Sequence, residues 1–257
     1  MTVRFGAFSM AGHSKWAQIK RQKGAADMKR GAIFTKLARE ITIAAKSGLP
    51  DPEHNFRLRL AIQHARENNM PAENIERAIK RAMGATDATE LHEVLYEGYG
   101  PGGAALLIQA MTDNRNRTVA EVRNVLTRSG GSLGEAGSVA WQFRNLGVIT
   151  VAATGHDPDE IALEAIEAGA EDAKVEGDEV IVYTDPAQLE AVKSALESAK
   201  RSVLHAEVSM VPSTPIPLNA KDSEALIRLI DRLEELDDVQ QVFTNAELDD
   251  AVLSRLG

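Results

Sequence analysis

From Lys15 to Arg39 the chain carries Lys15, Lys20, Arg21, Lys23, Lys29, Arg30, Lys36 and Arg39 against a single acid, Asp27, with Trp16 set among the first of these cations. Cations at this density repel one another unless an anion lies near, and an indole beside them offers a face on which a base can stack. The chemistry they suit is non-covalent, the neutralisation of closely spaced phosphates. Trp16 has a second reading, as an apolar anchor for its own segment, and the sequence leaves both open. The clustering is not an effect of overall charge. Residues 1–85 hold sixteen basic and seven acidic residues, a net of +9, whereas the rest of the chain carries −18, within a total of −9. Lys15, Trp16, Lys20, Arg21, Lys23, Lys29, Arg30, Lys36 and Arg39 are therefore the candidate contacts to a polyanion, nucleic acid above all.

Other reactive residue types form no set. The six histidines, His13, His54, His64, His92, His156 and His205, lack metal-ligand spacing, and there is no cysteine to complete a zinc site or act as nucleophile. Asp237-Asp238 and Asp249-Asp250 are adjacent pairs whose side chains point apart, which reads as a solvated helix end or tail. Gly131, Gly134 and Gly137 in GGSLGEAG, and the run Gly100-Pro101-Gly102-Gly103, resemble anion-cradling loops but lack the P-loop Lys and Ser/Thr, so they read as turns. No enzymatic activity, cofactor, metal or small-molecule substrate is expected.

The elements that hold the cations follow from periodicity. Ile33, Phe34, Leu37, Ile41 and Ala44 fall on one arc of a helix, and Lys29, Lys36, Arg39 and Lys46 fall on the arc beside it, so one face packs while its neighbour is cationic. Residues 14–30 lack such a stripe and read as a short helix or as an arm that orders on a partner. Asp51-Pro52 resembles an N-cap and first turn for a second helix reaching Asn68, with Phe56, Leu60 and Ile62 or their neighbours inward. Pro71 opens a third, with Ile75, Ile79 and Met83 at i, i+4, i+8. Residues 10–84 thus form a basic helical domain.

Beyond Gly84 the pattern changes to α/β. Strands are expected over Val94–Gly100 and Ala104–Met111, a helix opening on the capping box Thr118-Val119-Ala120-Glu121, and a strand over Ser138–Phe143. From Gly147 a βαββαβ order suggests a ferredoxin-like sandwich. This segment is strongly acidic, with four basic against fourteen acidic residues over 154–217. Residues 85–146 and 218–257 are each incomplete alone and together form a discontinuous middle domain around the insert 147–217. The fold class is α+β, with three domains: a basic helical domain and two α/β sandwiches, one inserted in the other. No apolar run approaches a bilayer span, and the chain is expected to be cytoplasmic. Asp113-Asn114-Arg115-Asn116-Arg117 and the Gly130–Gly137 loop are either a second contact surface or tight-turn packing.

Four long segments carry a family resemblance: AGHSKWAQIKRQKGAADMKRGAIFTKLAREI (Ala11–Ile41), NMPAENIERAIKRAMG (Asn69–Gly84), YEGYGPGGAALLIQAMTDNRNRT (Tyr96–Thr118) and GGSLGEAGSVAWQF (Gly130–Phe143). On these the chain resembles the YebC/PmpR family, whose mitochondrial relatives include a translational activator of cytochrome c oxidase. The resemblance covers Met10 to the C-terminal helix and strand. Residues 1–9 depart from it, because the family begins at the methionine equivalent to Met10. It implies a helical domain and two α/β domains around a cleft, no known enzymatic activity and no obligatory cofactor. It also implies one of two roles on a phosphate backbone, either a DNA-binding transcriptional regulator or a ribosome-associated translation factor.

Overall fold

The computed structural model describes residues 30–84 and 91–256. These fall into two compact units, one of residues up to Gln142 together with those from Thr214 onward, the other Phe143–Ser213. The second unit begins and ends four residues ahead of the insert read from the sequence.

Among the described residues of the first unit, three helices come first: α1 (Arg30–Lys46), α2 (Phe56–Glu67) and α3 (Ala72–Gly84). The apolar arc of α1 buries Leu37, Ile41 and Ala44 against Leu58, Ala61, Ile62 and Ala65 of α2 and Ile75 and Ala78 of α3. Of the inward positions expected on α2, Ile62 is buried, while at Phe56 and Leu60, themselves half-buried, the neighbours Leu58 and Ala61 take the core; Met83 at the end of α3, expected inward, is exposed. The alanines let the helices approach closely, so the packed stripe of α2 lies beside the one its larger side chains suggested. Inside the bundle, the Thr42 hydroxyl lies 2.8 Å from the Ala38 carbonyl and 3.2 Å from that of Ala78.

The N-cap of α2 is Asn55, not Asp51. Asn55 Oδ1 accepts the Leu58 N–H at 3.0 Å, while its amide donates to the carbonyls of Ala44 and Leu49, both at 2.8 Å. Only an amide can do both, which is why this cap also closes the end of α1. The Asp51 carboxylate instead takes Nδ1 of His54 at 2.6 Å in the preceding turn.

The remainder of the first unit is a four-stranded antiparallel sheet, built from β1 (His92–Tyr99), β2 (Ala105–Thr112), β3 (Ser132–Leu133) and β9 (Val239–Thr244) in the order β3-β1-β2-β9. Helices α4 (Arg115–Arg128) and α7 (Ala220–Glu234) cover one face, burying Val122, Leu126, Leu226, Leu229, Ile230 and Leu233 against Leu106, Ile108 and Val242. β1 and β2 are joined by the turn Pro101–Gly103, where Gly102 and Gly103 adopt φ of +68° and +78°, a region glycine enters at little cost. The capping box expected at Thr118 is not the start of α4. Asn114 caps it one turn earlier through the Arg117 N–H, and Thr118 is buried inside the helix. A short parallel pair, β8 (Ile216–Pro217) with β10 (Ala246–Glu247), and helix α8 (Asp250–Leu256) complete the unit.

The second unit runs β4 (Phe143–Ala152), α5 (Pro158–Glu167), β5 (Asp172–Glu176), β6 (Glu179–Thr184), α6 (Leu189–Ser198) and β7 (Ser202–Pro212). Its antiparallel sheet has the order β5-β6-β4-β7, the ferredoxin-like arrangement. Ile149, Val151, Val180 and Val182 from the sheet and Ile161, Leu189, Val192 and Leu196 from the helices are buried. The strand expected over Ser138–Phe143 is instead a turn and a single 3-10 turn, Ala140–Gln142, and β4 is continuous from Phe143 through Gly147. Gly147 is where the sequence reading starts the insert. In the structure it is a close approach, because a Cβ there would stand 2.3 Å from Oγ1 of Thr184 and 3.0 Å from Cβ of Leu189.

Candidate nucleic-acid interface

Of the nine residues that sequence singles out, Lys15, Trp16, Lys20, Arg21, Lys23 and Lys29 lie outside the described residues, as does the choice between short helix and arm for residues 14–29. Arg30 opens α1. Lys36 and Arg39 are described, and neither faces outward. Lys36 is buried and its ammonium donates to the Glu234 carbonyl, while Arg39 donates to the Asp237 carbonyl and pairs with Asp238 at 3.0 Å. The cationic arc of α1 is thus, at these two positions, a docking face. It meets the C-terminal end of α7, where carbonyls have no partner inside the helix and the helix dipole is negative.

Asp238 joins the two parts of this unit. The sequence places it in a solvated acidic pair, yet it is 2% exposed. Its Oδ2 accepts from Thr112 Oγ1 at 3.0 Å, Thr118 Oγ1 at 2.6 Å and Arg117 Nη2 at 2.7 Å, and its Oδ1 faces Arg39. Burial pushes the carboxyl up, but the hydrogen bonds from Arg117, Thr118 and Thr112 and the charge of Arg39 outweigh it, so Asp238 titrates below the usual aspartate range. Arg117 also pairs with Asp113 at 2.9 Å, and its two carboxylate partners raise its own pKa. In the segment Asp113–Arg117, then, Asn114 caps and Arg117 is tied to Asp113 and Asp238, while both arginines, Arg115 and Arg117, remain exposed. The missed signal for Asp238 is the pair of threonines Thr112 and Thr118, whose hydroxyls need an acceptor once buried.

Cations that do reach the surface of the helical part are Lys46, Arg66, Arg77, Lys80 and Arg81. Arg57 is also exposed but bridges to Glu93 at 2.9 Å.

The glycine-rich loop does hold an anion, and the anion is the protein's own. The buried Glu97 carboxylate accepts N–H groups from Gly137 at 2.6 Å, Val139 at 2.7 Å and Ala140 at 2.8 Å, and its backbone carbonyl accepts the Gly134 N–H at 2.8 Å. Burial raises the Glu97 pKa, but these three donors outweigh it and leave the group more acidic than usual. Trp141 follows directly and is 72% exposed, with its indole N–H donating to the Ser138 carbonyl at 3.1 Å. The Tyr99 hydroxyl donates to that same carbonyl at 3.3 Å.

Profiles described as "TACO1/YebC protein N-terminal domain" and "TACO1/YebC second and third domain" match residues 14–85 and 91–246, which together span nearly the whole chain. The chain belongs to the TACO1/YebC family. A probable transcriptional regulatory protein of Thermomicrobium roseum is 55% identical, covering 92% of this chain and 96% of its own length. Another of that name, from Dehalococcoides mccartyi, is 51% identical over 96% of this chain and 98% of its own. The crystal structure of a conserved hypothetical protein from Aquifex aeolicus matches with a TM-score of 0.78 at 44% identity, covering 87% of this chain and 93% of that one.

In this TACO1/YebC chain three of the five described histidines each engage a single carboxylate: His54 with Asp51, His64 with Glu40 at 3.3 Å and His205 with Glu207 at 3.4 Å. Among the described residues no three His, Asp or Glu side chains converge as metal ligands would, and no helix is long and apolar enough to cross a membrane. What the arrangement offers chemically is charge, aromatic surface and a firmly tied scaffold beneath both.

Proposed function

We propose that the chain is a nucleic-acid-binding regulatory protein of the transcription-regulating type for which its relatives are named, acting in the cytoplasm by binding and not by catalysis. The observation that carries this reading is the sorting of charge, +9 over residues 1–85 against −18 over the rest. Lys15, Lys20, Arg21, Lys23, Lys29 and Arg30 precede the body of α1, and Lys36 and Arg39 tie that helix to the middle domain. The cations upstream and those exposed on α1–α3 then bind phosphate, and affinity falls as salt rises because counterions are released.

A second reading, a ribosome-associated factor on ribosomal RNA, is favoured by the exposed Trp141, since irregular RNA is recognised by stacking as well as by phosphates. A competition at near-physiological salt separates the two. Purified protein is offered ribosomes together with excess genomic duplex DNA and then sedimented. Retention on DNA fragments supports transcriptional regulation, and pelleting with ribosomes despite the DNA replaces it with the second reading. Binding to neither overturns both.

A further inference from the structure

We infer that Trp141, with Tyr99 beside it, is a stacking site for an unpaired nucleobase of a single-stranded nucleic acid, separate from the basic domain. This deepens the nucleic-acid-binding reading and rests on it. Trp141 is one of only two tryptophans, and it leaves most of its area in water while Phe143, Phe243 and Tyr183 are buried. An indole left out of the core forfeits the gain of burying a large apolar side chain, and Trp141 is the most exposed large hydrophobic side chain among the described residues, with the part-exposed Tyr99 ring bound to the same carbonyl.

The site is built to stay as it is. The three N–H groups held by Glu97 come from Gly137, Val139 and Ala140, immediately before Trp141, and the Val139 side chain is fully buried. The indole N–H and the Tyr99 hydroxyl converge on the Ser138 carbonyl, which satisfies the polar atoms of both rings and leaves apolar ring surface exposed. A ring held in place loses little entropy when a partner stacks on it. The partner is then selected by the surroundings. The exposed residues of the adjoining loop, Ser132, Glu135, Ala136 and Gly137, are small or polar, so the rings lack the apolar surround of a protein-binding anchor. A flat heterocycle with polar edges fits that setting, and every base offers one once it leaves its helix. Duplex DNA keeps its bases stacked and cannot use the site.

The test uses the full chain with Trp16→Phe, which makes Trp141 the only tryptophan. Labelled 12-nucleotide single-stranded RNA, single-stranded DNA of the same sequence and the corresponding duplex are titrated, following anisotropy for binding and tryptophan emission for stacking. We expect Trp141 emission to be quenched by a single strand and unchanged by the duplex, with the stronger of the two single strands identifying the source of the base. Trp141→Leu weakens single-strand binding about tenfold, leaves duplex binding and melting temperature unchanged, and Trp141→Phe restores most of the loss. Single-strand binding with unaltered emission and unaltered affinity in Trp141→Leu overturns the stacking site while nucleic-acid binding stands. An equal loss on the duplex overturns the single-strand assignment. No binding to any of the three overturns the underlying reading as well.

Discussion

Nη1 of Arg39 stands 3.0 Å from Oδ1 of Asp238, so a cation of the basic helical domain is matched to a buried carboxylate of the middle domain. With Thr112, Thr118 and Arg117 on the other oxygen, four side chains from three elements, α1, β2 and α4, depend on one acid. Asp238→Asn removes the charge while keeping the size. Its amide nitrogen would then face donors that need an acceptor, and the loss is about 3 kcal/mol. For a chain of this length that is a fall in Tm of roughly 6–12 °C. Thermal unfolding followed by circular dichroism measures it, and an unchanged Tm would show that the carboxylate is dispensable.

The same group sets a pH dependence. Asp238 and Glu97 both titrate lower in the fold than when unfolded, so each binds protons more readily in the unfolded chain. Their contribution is complete above the unfolded values, about 3.9 for Asp and 4.3 for Glu, and is lost as pH falls through the folded ones. Denaturant midpoints at pH 7 and pH 3 should therefore differ more for the wild type than for Asp238→Asn or Glu97→Gln. Equal differences in all three would remove these carboxylates from the acid response.

Cations that hold the fold and cations that hold a polymer can be told apart. Lys36→Ala with Arg39→Ala deletes contacts to Glu234, Asp237 and Asp238, so it should lower Tm. Reversing Lys20, Arg21 and Lys23 to Glu should abolish polyanion binding and leave Tm nearly unchanged. Arg66→Ala and Arg81→Ala, on exposed positions, should each reduce the slope of log affinity against log salt by about one. Salt-dependent anisotropy and thermal melts on the same samples decide it. A triple reversal that binds as tightly as wild type would remove the basic segment from the function.

Patterns local to one element were legible in the sequence, and choices between competing partners were not. Leu37, Ile41 and Ala44 announce the inward face of α1, and the βαββαβ order announces the second unit. The cap of α2 went to Asn55 over Asp51 because only an amide can also donate to Ala44 and Leu49, which belong to another turn of chain. Residues 138–142 look like a strand, but the N–H groups of Val139 and Ala140 go to Glu97, far away in sequence, and not to a neighbouring strand. At the site, the charge sorting was plain. That Lys36 and Arg39 face inward depends on where α7 ends, which periodicity within α1 does not encode.

Gly147 gives a test confined to the second unit. It continues β4 where its pairing passes Thr184 on one side and Val208 on the other. An added methyl would sit 2.3 Å from Oγ1 of Thr184, whose hydroxyl is fixed by the Asp185 carbonyl at 2.9 Å, and 3.0 Å from Cβ of the fully buried Leu189. None of these atoms is the free end of a flexible side chain, so Gly147→Ala should cost about 1–3 kcal/mol as overpacking. Thr184→Ala removes the nearest obstacle at the expense of its hydrogen bond. The double variant should then lose less than the two single losses together, a coupling of at least about 0.5 kcal/mol between touching sites. Urea unfolding of the four proteins in the cycle supplies the number. Strict additivity would mean that the strand shifts to admit the methyl and that the glycine is there for another reason.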